Sequence, residues 1–164
     1  MKKLLALVLC LMMACTLSAA VAEARAMEDL FEGAWVQFED GFELYLPAGW
    51  YEFECTPEMN AQGIFYMAGT EDMSYSCTLG WKALDSDCTV EELHAAMVTQ
   101  YPDAEIIEVN DVALIAYVDA ANDLLNCIAL DATEPGFYMF AFSPSTDEDF
   151  QILAGMIASS IRNL

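Results

Sequence analysis

Short runs of apolar and aromatic residues recur along most of the chain, and the first of them alternate with polar residues, which is the pattern of β-strands. The first two alternating segments, 34–39 and 42–46, flank Asp40-Gly41, a dipeptide typical of hairpin turns. Further segments rich in Ile, Val, Tyr and Phe follow at 63–69, 75–83, 105–109, 112–119, 124–131 and 137–142. Because short turns join neighbouring strands, these connections cannot be parallel crossovers, and the pattern predicts an antiparallel sheet.

Two segments show helical spacing instead. Within 84–102, Thr89 and Glu92 form a T-x-x-E capping box at the start of a stripe of apolar residues. The stretch 150–161 carries a second apolar stripe at helical spacing, and Thr146 is predicted to cap it. Helices packed on an antiparallel sheet indicate an α+β layered domain.

One domain accounts for the whole pattern, because no linker or internal repeat divides the chain. We therefore expect a single α+β domain over 34–164. A short acidic lead-in, 25–33, precedes this domain and is predicted to hold one or two helical turns.

The N-terminal segment has the three regions of a secretory signal peptide. Two lysines precede an apolar run over 4–17, and an A-x-A site ends at Ala24. The run is shorter than the ~20 residues that a membrane span needs, and we expect no transmembrane segment in the mature chain. Cleavage after Ala24 predicts an exported protein. The alternatives are a retained N-terminal anchor and a lipoprotein acylated at Cys15.

Acidic residues dominate the chain and narrow the range of partners. The chain has 27 acidic and five basic residues, and cleavage would leave 26 and three, a net charge of −23. Such a surface repels phosphate backbones and anionic lipid headgroups, which argues against nucleic acid as a partner. It attracts cationic proteins, cationic peptides and divalent cations. The simplest interpretation of the charge is solubility outside the cell.

Four cysteines remain after cleavage, and an even number in an exported protein suggests two disulfides. We predict the pairs Cys55–Cys77 and Cys88–Cys127, since the first brackets a strand pair and the second would tie the helix start to the later strands. The alternatives are free buried thiols and a zinc site built from all four. The spacing contains no C-x-x-C motif.

The segment GFELYLPAGWYEFE, over 41–54, halts a strand abruptly. Pro47 removes a backbone donor, and Gly49 allows a tight reversal. Trp50 then either packs as a lid over the sheet edge or beneath a helix, or lines a ligand cleft with Tyr51 and Phe53. The lid is the interpretation that we favour.

FELYLPAGW, an amphipathic strand that enters a P-x-G-W turn, resembles the opening of PsbP-like and Mog1-like domains in small secreted bacterial proteins. Those domains also have a mid-chain helix and a last helix whose apolar stripe precedes a basic residue, here Arg162. The resemblance spans roughly 35–162 and implies an α/β/α sandwich around an antiparallel sheet. It also implies a binding or assembly module, and it carries no catalytic residue to this chain.

Candidate chemistry is sparse. His94, the one histidine, lies beside the apolar stripe of the first helix and is a candidate general base. No G-x-S-x-G, G-x-G-x-x-G or Walker motif occurs. Asp85-Ser86-Asp87 resembles part of a calcium loop but lacks its glycine and spacing, which leaves a weak extracellular cation site as an alternative. We predict that the protein is not an enzyme and needs no cofactor or metal, the alternative being a secreted hydrolase that uses carboxylates and His94.

Aromatic residues supply the candidate binding surface. If no helix covers the second face of the sheet, four tyrosines would form an aromatic surface for a peptide or glycan: Tyr66, Tyr75, Tyr117 and Tyr138. Trp50 and Tyr51 complete the candidate ligand-binding residues, and core packing is the alternative role for all of them. The sequence thus predicts an exported, strongly acidic binding or assembly domain of the cell envelope or extracellular space, for a protein, peptide or envelope component. A further alternative is a disulfide-stapled structural module without a ligand.

Overall fold

The computed structural model describes residues 26–38 and 41–163, so the predicted signal peptide and Cys15 lie outside the described residues, as does Asp40 of the predicted turn. The strands of the described part are β1 (Gly33–Gln37), β2 (Phe42–Pro47), β3 (Tyr51–Phe53), β4 (Ile64–Gly69), β5 (Ser76–Ala83), β6 (Glu105–Val109), β7 (Val112–Asp119), β8 (Leu124–Leu130), β9 (Gly136–Ser143) and β10 (Arg162–Asn163).

These strands form two antiparallel sheets. A three-stranded sheet has the order β1-β2-β10, and a seven-stranded sheet has the order β3-β4-β5-β9-β8-β7-β6. The predicted β1–β2 hairpin is confirmed, with Gly33 opposite Pro47 and Gln37 opposite Glu43. In the large sheet, β6 to β9 follow one another as neighbours, as the short predicted turns require.

Helices cover both faces of the seven-stranded sheet. The α-helices are α1 (Pro57–Ala61), α2 (Val90–Met97) and α3 (Glu148–Ser159), and a 3-10 helix spans Met27–Asp29. On one face, α2 packs Leu93 against Ile115 and Ile128. On the other face, α3 and the small sheet share a larger core, which contains Phe150 and Leu44. The predicted α+β sandwich is confirmed.

Alternation along each strand decides which core a residue joins. On β7, Leu114 lies in the core with α3, while Ile115 and Tyr117 lie in the core with α2. The α2 helix covers one face of the large sheet, and α3 with the small sheet covers the other, so both faces carry apolar residues. The strands accordingly carry long apolar runs instead of a clean alternation of apolar and charged residues.

The two main helices begin at side-chain caps. The predicted box is present, since the Thr89 amide donates to Glu92 Oε2 at 2.9 Å and the Glu92 amide donates to Thr89 Oγ1 at 3.2 Å. The cap of α3 is Asp147, not the predicted Thr146. The Phe150 amide donates to Asp147 Oδ1 at 3.0 Å, which satisfies a first-turn donor that Thr146, one residue earlier, does not reach.

The predicted acidic lead-in packs against the small sheet. Met27 is buried, and the Phe31 ring lies 5.1 Å from the ring of Tyr45. The segment therefore contributes to the packed structure, although its sequence reads as an acidic extension.

The predicted disulfides are not formed, and all four cysteines are free. Cys88 packs on the α2 face of the large sheet, whereas Cys127 is buried on the α3 face, so the sheet itself separates the pair. In the other pair, Cys55 follows the end of β3 and Cys77 lies on β5. The strand β4 separates β3 from β5. Two strand spacings are about 9–10 Å, more than the ~7 Å that a disulfide bridges between Cα atoms.

Thiol labelling should therefore separate the cysteines by burial. Cys77 and Cys127 are 0% and 1% exposed, and burial raises the pKa of the Cys127 thiol to about 12. Burial likewise raises the pKa of Cys77, so neither thiol forms the reactive thiolate near neutrality. We expect iodoacetamide at pH 8 to modify the partly exposed Cys88 and, more slowly, Cys55, whose thiol pKa is also raised by burial, and to spare the buried pair until denaturant is added.

Peptide mapping of the unreduced protein by mass spectrometry measures this pattern, with the denatured protein as the fully labelled control. Recovery of a Cys55–Cys77 or Cys88–Cys127 linked peptide would contradict the free-thiol arrangement. Native labelling of Cys77 at the rate of Cys88 would contradict its burial.

Candidate binding cleft

The turn after β2 carries the chain from the small sheet to the large one. Gly49 has a φ of 80°, a left-handed conformation that glycine adopts without strain. The Trp50 amide donates to the Pro47 carbonyl at 3.3 Å and closes the turn, while the Ala48 amide donates to the Glu32 carbonyl at 2.8 Å. The P-A-G-W sequence therefore links two sheets, which explains why a strand stops there and aromatic residues follow.

A cleft of about 170 Å³ lies beside this turn, between the two sheets. Val36 of β1 and Leu46 of β2 line it on the side of the small sheet. The large sheet contributes Glu52 of β3 and Tyr66 of β4, and Trp50 closes the end at the turn. Since β1 and β3 are each the outermost strand of their sheet, the cleft lies between two sheet edges.

Trp50 is both a lid and a wall. Its ring is half-buried against the core, 6.2 Å from the ring of Phe150 in the first turn of α3. This contact agrees with the favoured prediction that Trp50 packs beneath a helix. The same residue lines the cleft, so the two predicted roles are combined in one side chain.

Glu52 and Tyr66 form the polar part of the cleft. The Tyr66 hydroxyl donates to Glu52 Oε1 at 3.2 Å. Burial, followed by the charge of Glu52, raises the pKa of Tyr66 well above its usual value, so the hydroxyl keeps its proton. Glu52 is itself exposed, and this hydrogen bond fixes a carboxylate at the rim of an otherwise apolar depression.

Tyr51 takes a different direction from the residues around it. Tyr51 pairs with Gly69 and Glu52 with Ala68, so the side chains of Tyr51 and Glu52 emerge on opposite faces of β3. Ala68 belongs to the core with α3, which places Glu52 on the cleft side and the Tyr51 ring, 54% exposed, on the other. Trp50 and Tyr51 both line the cleft, as the cleft alternative predicted, whereas Phe53 is not among its lining residues and Glu52, which was not predicted, is.

The predicted surface of four tyrosines is not formed. Tyr66, Tyr117 and Tyr138 are all buried, and they belong to two different cores. Tyr138 packs 5.0 Å from Phe42, ring to ring, on the α3 face. Tyr117 stacks at 4.1 Å on Tyr101, on the α2 face. On β8, Asn126 pairs with Tyr117 and Ala129 pairs with Tyr138. These two partners are three positions apart, so the two tyrosines lie on opposite faces of the sheet.

Tyr75 stabilises the start of α3. Its hydroxyl donates to Oδ2 of the capping Asp147 at 2.8 Å, and its ring lies 4.8 Å from the ring of Phe150. The hydrogen bonds from the Phe150 amide and from Tyr75 hold the pKa of Asp147 below its usual range. Through these contacts Tyr75 supports the cap of α3.

His94 anchors α2 to the loop that follows it. The His94 Nε2 atom lies 2.9 Å from the Ala104 carbonyl oxygen, and the ring is half-buried. Because α2 packs on the opposite face of the large sheet from the cleft, His94 and Glu52 do not form a common site. Within residues 26–38 and 41–163, no three His, Cys, Asp or Glu side chains converge as metal ligands would.

The part of Glu52 in the cleft was not predicted from the sequence. The three residues of β3 are too few to show a period, although Trp50 and Glu52 are two positions apart, the spacing that places side chains on one strand face.

Over the described part of the chain, no helix combines the length and the apolar character that crossing a membrane requires.

Comparisons with known proteins identify the fold. No family model matches the sequence, and no curated protein matches it. Among solved structures, the solution structure of cyanobacterial PsbP (CyanoP) from Synechocystis sp. PCC 6803 matches with a TM-score of 0.55, over 90% of this chain and 99% of CyanoP. The chain has a PsbP-like fold. Sequence identity is 15%, so the likeness establishes the fold and leaves the function to the geometry of this chain.

The PsbP-like fold confirms the part of the predicted resemblance that concerns architecture. The Mog1-like part remains a prediction. In this chain the PsbP-like sandwich places the cleft at the P-x-G-W turn, the same residues on which the resemblance was first based.

Proposed function

We propose that the protein is an exported, acidic binding or assembly domain that holds a protein partner in the cleft between β1 and β3. The observation that carries this proposal is the position of the cleft between two open sheet edges. Edge strands present backbone donors and acceptors that an extended segment can pair with, and a flanking depression can select a side chain.

The size and composition of the cleft favour a protein partner over a small molecule. Small-molecule sites occupy about 300–1,000 Å³, and this cleft is about 170 Å³. Its polar groups are the hydroxyl of Tyr66, which donates to Glu52, and the carboxylate of Glu52, which keeps further acceptor positions. The role of binding or assembly module, which the PsbP-like resemblance implies, fits this arrangement. The hydrolase alternative is disfavoured because His94 lies on the opposite face of the sheet.

Site-specific photo-crosslinking tests the proposal. A photoreactive amino acid at Ala34, an exposed residue that lines the cleft from β1, should capture one protein from the cell envelope. The matched control is Ala83, which is also an exposed strand alanine but lies at the far end of β5. We expect the captured species at Ala34 to exceed that at Ala83 several-fold at physiological salt.

Equal capture at the two alanines, or no capture at Ala34, would reject the cleft as the binding site. The same cross-linked material reports on export. Mass spectrometry should find an N-terminus at Arg25, whereas a lipid-modified Cys15 would establish the lipoprotein alternative, and an intact Met1 would reject export by cleavage.

A further inference from the structure

The cleft has the dimensions of a single long side chain. Sites that enclose a whole small molecule occupy about 300–1,000 Å³, and this cleft has about 170 Å³. A helix or folded loop does not fit this volume. A partner therefore reaches the cleft with one anchoring side chain, while its backbone remains outside along the sheet edge.

The edge beside the cleft can accept an extended backbone. The Phe38 amide donates to the Phe42 carbonyl at 2.9 Å and sets the alternation of the β1–β2 ladder. Hydrogen-bonded pairs alternate with non-hydrogen-bonded pairs along an antiparallel ladder. The backbone N–H and C=O of Val36 therefore point to β2, and those of Trp35 and Gln37 point away from it. An incoming strand would meet those outward groups, with the cleft beneath the side chain of one of its residues.

The walls of the cleft specify a cationic anchor. Trp50 offers the face or edge of an indole, Val36 and Leu46 offer apolar contact, and Glu52 offers a carboxylate at the rim. An arginine side chain matches this sequence of surfaces. Its methylene stem packs on apolar walls, and its planar guanidinium both stacks on an indole and binds a carboxylate with two hydrogen bonds.

The chain already contains this arrangement within itself. Arg162 lies 3.6 Å above the ring of Trp35 and pairs with Glu43. The indole, the carboxylate and the arginine thus form one unit on the outer face of the small sheet. Trp50 and Glu52 supply the first two components on the cleft side.

Resting on the proposed function, we propose that the cleft binds an arginine side chain of a partner segment that extends along the edge of β1. The arginine stem occupies the space between Trp50 and Val36, and its guanidinium pairs with Glu52. The strongly negative charge of the chain draws the cationic segment to this surface, and Glu52 fixes where it binds.

Titration with short peptides tests this assignment. The probe is the capped tripeptide Val-Arg-Val, added to the purified protein at about 0.15 M salt so that distant charges are screened. We expect saturable shifts of the Trp50 indole resonance in two-dimensional NMR spectra, with the resonance assigned from a Trp50→Phe variant. The same tripeptide with citrulline, which keeps the shape of arginine but not its charge, should bind at least ~10-fold more weakly.

Matched variants separate Glu52 from the general acidity of the chain. Glu52→Gln keeps an acceptor for Tyr66 and should weaken binding of Val-Arg-Val by about 10-fold, which corresponds to about 1.4 kcal/mol. Glu105→Gln removes the same charge from an exposed residue of β6, at the opposite edge of the large sheet, and should change binding less than twofold.

Equal weakening by the two variants, shifts spread over the acidic surface, or equal binding of the citrulline peptide would overturn the arginine assignment. These failures are distinct from failure of the proposed function. If Ala34 still captures a partner in the photo-crosslinking experiment, the cleft binds that partner by another chemistry. If Ala34 also captures nothing, both proposals fail.

Discussion

Replacing Phe150 with alanine should lower the free energy of unfolding by about 3–5 kcal/mol, the usual loss for a buried aromatic residue. Phe150 is 4% exposed and lies where three parts of the fold meet. Its ring contacts those of Trp50, Tyr75 and Phe142, with centroid distances of 6.2, 4.8 and 6.2 Å. The remaining side chains are attached to different strands and cannot all move in to fill the space.

Urea denaturation followed by circular dichroism measures this loss as a fall in the transition midpoint at unchanged slope. Phe65→Ala is the control, because Phe65 is 38% exposed and should cost much less. A loss below 1 kcal/mol for Phe150→Ala would show that the ring is not part of the core. The Trp50 indole resonance should also move in Phe150→Ala, since the lid would lose the surface against which it packs.

The position of Phe150 also shows how far the sequence alone could predict the fold. Its helical stripe correctly placed the inner face of α3, and runs of Ile, Val, Tyr and Phe correctly predicted strands such as 137–142, which the structure extends to Gly136–Ser143. Long periodic segments carry enough residues to define a period. The three residues of β3 and the two of β10 do not, and neither strand was predicted.

The helix α1 was missed although its sequence contains a signal. Thr56 accepts a hydrogen bond from the Met59 amide at 3.3 Å, and Pro57 follows it at the first helical position. With only five residues, α1 shows no apolar stripe, and a cap by itself does not establish that a helix follows.

The candidate site was harder to predict because it depends on contacts between elements. Alternation tells which residues of one strand share a face, but not which helix covers that face. This is why Tyr117 and Tyr138 were grouped although they lie in separate cores, and why Cys88 was paired with Cys127 across the sheet. The Glu52–Tyr66 contact joins β3 to β4, and because β3 was not predicted, no predicted strand pair indicated this contact.

Arg162 provides the second large expected effect. Arg162→Ala should lower the free energy of unfolding by about 2 kcal/mol. Exposed ion pairs contribute ~0.2–1 kcal/mol, and loss of one partner from a fully buried pair costs ~3–5 kcal/mol. The pair with Glu43 lies between these cases, because the Glu43 side chain is 6% exposed and that of Arg162 is 56% exposed. Removing Arg162 leaves Glu43 buried without its cation.

The measurement is again urea denaturation, with Lys82→Ala as the matched control. Lys82 is an exposed cation on β5, so its removal makes the same change in net charge without uncovering a buried carboxylate. We expect Lys82→Ala to change stability by less than ~0.5 kcal/mol. Similar losses for the two variants would mean that net charge, rather than the Glu43 contact, determines the effect.

A double-mutant cycle connects this stability term to the proposed arginine site. Glu43→Gln and Arg162→Ala, made singly and together, give the coupling energy between the two side chains. A second cycle, with Trp35→Leu and Arg162→Ala made singly and together, gives the coupling energy between the indole and Arg162. A coupling above ~1 kcal/mol for both pairs, Glu43 with Arg162 and Trp35 with Arg162, would show that an indole and a carboxylate hold an arginine firmly on this protein. The pair Trp50 and Glu52 would then need only comparable geometry to hold an arginine from a partner, and a coupling near zero would remove that argument.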